Sequence, residues 1–467
     1  RLEVMAGVPP IPVDALGSSA AAPDDLPSAV HLASYRTGPG GRFRLHRFSC
    51  GGARFGFAIT GEHIGDEQRI VAATRRIVEA CGEIFGGFPF RRYLFMLTFT
   101  PGGRGGLEHR DSTLLLADPH SLGSPSGYHD LFTLIAHEFF HVWNVKRLRD
   151  RRLGPFDYSG ENPSRLLWFH EGFTSFMQHL IVLRAGVVPF TAVGRSLAST
   201  WTENVRRPGR LEQSLEESSF DAWIRQYKPN EFSTNSTVGY YDKGSLVGWM
   251  MDARIRLATR GRRGLDGLFQ DLWARHGDAG IDDGDLRAAY SDLTGEPAAA
   301  FWSRYIGGRA DLDPAPIEQA YGLRFEVQAP WECLGPAESG DPALVDRAKA
   351  YTGMELERER PVVSSVVPGS PACAAGLSYG MELLAVDGWR TPTARQAQER
   401  LRDRPPGATL EILAESRGRV EVHRLTVALS PDRTFRIVAD PGASARQRAA
   451  FEAWTGQPFP ARRTARR

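Results

Sequence analysis

The sequence predicts a multidomain α+β protein, and three observations carry that expectation. Its 467 residues exceed what one ordinary core encloses. Helical periodicity prevails from residue 66 to about 325. A compact stretch over 350–431 then alternates short β-like runs with turn signals.

Composition narrows the function classes. Hydrophobic residues make up 42% and aromatics 10%, ample for packed interiors. A formal charge of +2 sets up no strong field toward nucleic acid or a membrane surface. No apolar run approaches the roughly 20 residues that cross a bilayer. The four cysteines, at 50, 81, 333 and 373, have no C-x-x-C spacing, which argues against a disulfide framework or a zinc ribbon. No G-x-S-x-G occurs, so a serine hydrolase elbow has no support. The chain begins at Arg1 rather than at a methionine, so the lack of a leader is uninformative. Compartment stays open, with the cytoplasm slightly favoured over the periplasm.

In chain order, residues 1–65 are rich in Pro, Gly, Ala and Ser, with β-like stretches at Arg42–Phe48 and Arg54–Thr60. A helix is expected from Asp66, with Ile70, Thr74, Ile77 and Cys81 on one stripe and Gly86-Gly87 as its stop. Arg92–Thr100 reads as a buried strand. A glycine-rich turn and a second strand, Leu107–Ala117, follow. Asp130–Leu148 and Leu166–Ala185 read as helices, the second closed by Gly186 with Pro189 just beyond. Further helices fill 190–325, for instance Lys243–Leu257 and Gly264–His276. Residues 432–467 read as a C-terminal tail, with Arg462, Arg463, Arg466 and Arg467 as a solvated end.

The sharpest feature is His137-Glu138-Phe139-Phe140-His141. On a helix, residues four apart share a face, so both imidazoles can reach one ion while Glu138 projects beside them. Catalytic zinc takes three protein ligands and keeps a fourth position for water, whose proton an adjacent carboxylate can accept. The third ligand must come from elsewhere. Glu171, early in the next helix, would meet the histidines if the two helices pack antiparallel. His170 competes but lies about 100° round that helix. Glu161 is a further candidate, although Gly160 and Pro163 suggest a loop there.

These motifs resemble those of the gluzincin peptidases, where H-E-x-x-H is followed by W-x-x-E-G-F, here Trp168–Phe173. The longer string His137–Leu148, HEFFHVWNVKRL, is similar to the glycyl aminopeptidase group, family sixty-one of the metallopeptidases. Gly105-Gly106-Leu107-Glu108-His109 resembles that family's glycine-rich strand, and Tyr240-Tyr241-Asp242-Lys243-Gly244 its tyrosine motif. The resemblance runs from about 66 to 325. It implies a thermolysin-like catalytic lobe, one Zn2+ per chain on His137, His141 and Glu171, and Glu138 as general base. It further implies that an edge strand at Gly105 and Gly106 pairs with substrate, that Glu108 binds the free α-amino group, and that Tyr241 donates to the oxyanion, with Tyr240 the alternative. His109, His170 and Trp143 are candidates to support the metal ligands. The expected substrate is a peptide or protein with a free, small amino-terminal residue such as glycine or alanine. An endopeptidase on the same site, or a scaffold with an idle zinc site, are the alternatives.

Near the end, Val366-Val367-Pro368-Gly369-Ser370-Pro371, Ala375-Gly376-Leu377 and Val386-Asp387-Gly388 resemble a bacterial-type PDZ domain, which binds an extended peptide by strand addition. Gly353, Met354, Glu355 and Leu356 would then form its carboxylate-binding loop; Met381 stands where an acidic residue is usual. The expected organisation is a remnant or reduced N-terminal β region over 1–65 and a peptidase over 66–328. The peptidase divides into an α/β zinc lobe (66–186) and a helical lobe (187–328). A PDZ domain over 345–431 and the tail complete the chain.

Overall fold

The computed structural model describes residues 43–460 apart from 155, 156 and 158. The expectations for residues 1–42 and for the four terminal arginines lie outside the described residues.

The described chain begins with strands β1 (Arg44–Cys50) and β2 (Ala53–Thr60), helix α1 (Glu67–Phe85) and strand β3 (Arg92–Phe99). Strands β4 (Arg104–Glu108) and β5 (Ser112–Ala117) follow. The five strands form one sheet in the order β1-β2-β3-β5-β4. Parallel pairing at β2–β3 and β3–β5 is flanked by antiparallel β1 and β4. β1 and β2 are therefore the first strands of this five-stranded sheet, not part of a separate N-terminal region. Leu107–Ala117, expected as one strand, is a hairpin: the chain reverses over 109–111, where His109 N–H donates to the Ser112 carbonyl. That reversal makes the glycine-bearing segment an edge strand.

Helix α1 starts at Asp66, whose side chain accepts from the amides of Gln68 and Arg69, and ends on Gly86 in the left-handed region at φ 71°. Its apolar stripe, Ile70, Thr74, Ile77 and Cys81, is buried as the period predicts. Helix α2 (Pro125–Phe140) starts earlier than expected because Ser124 caps it and Pro125 opens it. It also stops earlier. After Phe140 the hydrogen bonds tighten to three-residue steps, and the chain folds into a close loop in which buried Val145 takes φ 118°. A β-branched residue there is strained, and such strain persists only where surrounding contacts hold it.

The second expected helix opens with a π-helical turn, Trp168–Phe173, before α3 (Thr174–Arg184). Between 190 and 321 the ordered elements are all helical: α4 (Phe190–Arg206), α5 (Leu215–Phe220), α6 (Tyr240–Ala258), α7 (Leu265–His276), α8 (Asp283–Thr294) and α9 (Ala315–Tyr321) among them. Strand β6 (Leu323–Gln328) follows. One apolar core runs through this whole body.

The C-terminal unit has its own core of Val363, Leu383, Ile412, Leu410 and Leu425 with their neighbours. It contains β7 (Met354–Leu356) paired with β8 (Val363–Val366), then β9 (Glu382–Val386), helix α10 (Ala394–Leu401), β10 (Thr409–Ser416) and β11 (Arg419–Thr426). Asp387-Gly388 and Arg417-Gly418 both turn with positive φ at each residue, the geometry of tight hairpins. The loop expected at Gly353–Leu356 is a loop only at Gly353; Met354 to Leu356 belong to β7.

Residues 432–467 are not simply a tail. Thr434–Ala439 forms β12, antiparallel to β6, and Ala445–Thr455 forms α11. Phe451 and Trp454 are buried in the main core, where Trp454 stacks on Tyr321 at 4.3 Å. The chain thus returns to the main body after the C-terminal β unit.

Candidate metal centre

Helix α2 presents His137 in its last turn, His141 follows at its C-cap one turn on, and the π-helical turn presents Glu171 opposite them. Glu171 Oε2 lies 3.2 Å from His137 Nε2 and 3.3 Å from His141 Nε2. The ligand atoms of the three residues lie within 4.8 Å of one another. Each ring is fixed by its other nitrogen. His137 Nδ1 meets Gln178 Oε1 at 2.9 Å, and His141 Nδ1 donates to the Asn144 carbonyl at 2.7 Å. Both Nε2 atoms therefore face the same point, the arrangement by which supporting groups orient metal-bound imidazoles. Two imidazoles and a carboxylate converging from two elements fit a zinc ion with an open position.

Charge in this cluster is mutually arranged. Burial opposes ionisation of Glu171, but the His141 and His137 rings hold its carboxyl well below the usual range. Burial likewise opposes a charged His141, yet Glu171 pushes that ring up to about 10. Each partner makes the other's charge tolerable.

The competing ligands lie elsewhere. His170 is buried, accepts from the Asp150 amide and meets Asn144 Oδ1 at 3.0 Å. Burial lowers it to about 4, which keeps the ring neutral. Asn144 is the hub of this arrangement. Its amide nitrogen donates to the carbonyls of Phe169 and His170 and to Thr174 Oγ1, while its own carbonyl holds His141. One side chain thus binds the loop after α2 to the turn that carries Glu171. Trp143 stacks on Phe85 at 4.3 Å and packs α2 against α1 rather than supporting a ligand. His109 is buried beside the hairpin turn. Glu161 lies outside the cluster.

Glu138 projects beside the histidines toward the sheet, its carboxyl grouped with His141. It is buried, its Oε2 has no hydrogen-bond partner among the described residues, and a Cβ added at Gly106 would sit 2.6 Å from its carboxyl. Gly106 is therefore a glycine so that β4 can lie against this carboxylate. Gly105, at φ 98°, takes a conformation that other residues rarely adopt. Burial pushes Glu138 well above the ordinary carboxyl range despite the nearby His141. Glu108, at the end of β4, falls in a group with Glu138 and His141 whose ligand atoms also lie within 4.8 Å. Burial opposes its charge, but Lys146, 3.5 Å away, and His141 hold it below the usual range.

Two tyrosines close the opposite side. The ring of Tyr241 lies 6.3 Å from that of His137, while Tyr240 is fully buried and stacks on Tyr241 at 4.7 Å. Tyr240 donates to Tyr227 Oη at 3.2 Å, and the Tyr241 hydroxyl lies 3.5 Å from the same atom. Burial pushes both phenols up, so both remain protonated donors. α6 reaches this position because it crosses the π-helical turn backbone to backbone. A Cβ on Gly172 would meet Gly244 Cα at 2.6 Å, and one on Gly244 would meet the Trp168 carbonyl at 2.8 Å.

Four residues of the site were not anticipated: Asn144, Lys146, Gln178 and Tyr227. Gln178 carried a signal, since it lies two turns beyond Glu171. Asn144 and Lys146 sit inside the string HEFFHVWNVKRL but act through space, and Tyr227 had no local signal.

The comparisons fall on these same elements. Residues 130–247 match the M61 glycyl aminopeptidase family. Among solved structures, an aminopeptidase N family protein from Idiomarina loihiensis superposes with a TM-score of 0.78 at 26% identity, over 89% of this chain and 71% of that one. An M1 zinc metallopeptidase from Deinococcus radiodurans gives a TM-score of 0.39 at 16% identity, over 59% and 54% of the two chains, too distant to bear on the site. No curated protein matches the chain.

Proposed function

We propose that this chain belongs with the glycyl aminopeptidases it resembles over residues 130–247, and that it is a zinc-dependent aminopeptidase removing a small amino-terminal residue, glycine or alanine, from peptides. His137, His141 and Glu171 would hold one ion per chain. When bound, zinc supplies a Lewis acid and an acidified water. The observation that carries the reading is the convergence of both Nε2 atoms on Glu171 Oε2, at 3.2 and 3.3 Å, with the far nitrogen of each ring already bonded.

Glu138 takes the proton of the attacking water on its unpartnered Oε2. Its burial raises it above the ordinary carboxyl range and makes it a stronger base than an exposed carboxylate. Strand β4, at the sheet edge, offers free backbone groups to an extended substrate, which lies antiparallel to it with its amino end toward Glu108. Tyr241, the tyrosine nearer the metal ligands, donates to the carbonyl oxygen as it becomes anionic. Tyr240 and Tyr227 orient it through their hydroxyl contacts.

One observation favours an endopeptidase instead: the Lys146 ammonium already neutralises Glu108, the group meant for the substrate's amine. Peptides with free and acetylated amino termini separate the two readings. For the C-terminal unit we assign a PDZ-type fold over 345–431, with a peptide strand adding beside β7 and its carboxylate near Gly353. If that unit is the whole function and the zinc site is idle, peptide binding will persist without turnover.

The test combines metal analysis of the purified chain with hydrolysis of Gly- and Ala-p-nitroanilide, with and without a chelator. One zinc per chain and chelator-sensitive release support the reading. A chain that binds no zinc under metal-replete conditions sinks it.

A further inference from the structure

Beyond the tyrosines the chain carries a run of exposed apolar side chains, one of which, Phe220, is faced by the Arg165 guanidinium at 4.7 Å. From α5 the chain passes through a second π-helical turn, Ala222–Gln226, to a short helix at Ser233–Ser236. Phe220, Trp223, Ile224, Tyr227 and Phe232 are all exposed on this stretch, Ile224 at 63% and Phe232 at 62%. They are five of the fifteen large apolar side chains exposed among the described residues, and they fall within thirteen positions. Trp223 lies 5.9 Å from Tyr227, ring to ring, and Ile224 and Phe232 are the apolar walls of a hollow otherwise lined by polar residues such as Arg225, Lys228 and Asn230. Exposed apolar side chains scattered singly need no explanation; a cluster bordering a cleft marks a binding surface.

Its position says what it binds. Glu108 groups with His141 at one end of the site. His137 faces Tyr241, Tyr241 reaches Tyr227, and Tyr227 reaches Trp223. The ledge therefore lies at the opposite end from Glu108. A substrate whose amino group is held at Glu108, and whose first carbonyl lies between Glu138 and Tyr241, can bring the side chains of its following residues to this ledge from its place along β4.

We propose that this ledge receives a large apolar side chain from the first or second residue after the scissile bond. The enzyme would then act on peptides in which a small first residue is followed by bulky apolar ones. The proposal rests on the aminopeptidase reading above and adds a second specificity element to it. Burying an apolar group in a partly open site discriminates by roughly tenfold, the low end of what hydrophobic pockets achieve.

The experiment compares kcat/KM for alanine release from Ala-Phe-Phe-amide and Ala-Gly-Gly-amide, in the native chain and in a Trp223→Ser/Ile224→Ser variant. The native enzyme is expected to prefer the aromatic peptide by about tenfold or more, and the variant to bring that ratio within about twofold. Should the double variant melt early, Ile224→Ser alone, at the most exposed position, replaces it. A native ratio near one, or one that persists in the variant, overturns the ledge while leaving the aminopeptidase reading intact. No alanine release from either peptide overturns both. A native dimer that the variant converts to monomer, with the ratio unmoved, assigns the ledge to a second copy of the chain instead.

Discussion

Replacing Gly106 by alanine perturbs Glu138, the proposed general base, without touching any of the proposed metal ligands. The added methyl would sit 2.6 Å from the Cγ, Cδ and Oε1 atoms of Glu138. Ordinary contact begins near 3.4 Å, so the carboxyl must retreat by about 0.8 Å. Glu138 is the far end of a flexible side chain, so it yields more readily than the backbone of β4. The fold should therefore survive. Catalysis should not, because a misplacement near 1 Å of a reacting group costs about 100-fold in rate, or about 2.7 kcal/mol of barrier. The assay is kcat for Ala-p-nitroanilide alongside zinc content and a thermal melt. The expected result is full zinc, a melting temperature close to native, and kcat down by about two orders of magnitude. Native-like kcat would refute the reasoning that Gly106 is a glycine to seat the base.

Further substitutions test neighbouring parts of the site. Tyr241→Phe should lower kcat by about 100- to 1,000-fold with little change in KM, whereas Tyr240→Phe should cost less than about tenfold; steady-state kinetics of the pair decides between them. Gln178→Leu frees His137 Nδ1 and should weaken zinc binding by about 10- to 100-fold, read by competition with a chelator. Gly244→Ala meets backbone atoms at 2.8 and 2.9 Å that cannot give way. It should destabilise the chain by about 1–3 kcal/mol, seen as a lower melting temperature, and draw Tyr241 from His137.

How far the sequence carried the account depended on the range of each interaction. The pairing of His137 with His141, and the projection of Glu138 beside them, follow from helical period alone. The cap at Asp66 and the stop at Gly86 are equally local. Glu171 needed an assumption about helix packing, and the structure brings it to the histidines through a π-helical turn that no periodicity announces. The early end of α2 was hidden because residues 141–148 carry no helix stop, with Val142, Trp143, Val145 and Leu148 still apolar, while a strained Val145 and the Asn144 contacts fold them back. The hairpin at 109–111 was missed because Leu107–Ala117 is uniformly strand-like. Gly172 and Gly244 lie 72 residues apart, and their backbone contact leaves no trace in either local pattern. The same holds for α11: its burial comes from Trp454 and Phe451 meeting Tyr321 and Phe190. A sequence pass over 432–467 sees only a polar, arginine-rich end.

The central claim is that Glu138 moves the proton while three other residues hold zinc. Its most direct test is Glu138→Gln, with zinc content and peptide turnover measured on the same preparation. Glutamine keeps the shape but cannot accept the proton. The account predicts one zinc per chain and turnover lowered by about 100- to 10,000-fold. A zinc-loaded variant that cleaves at the native rate would contradict it.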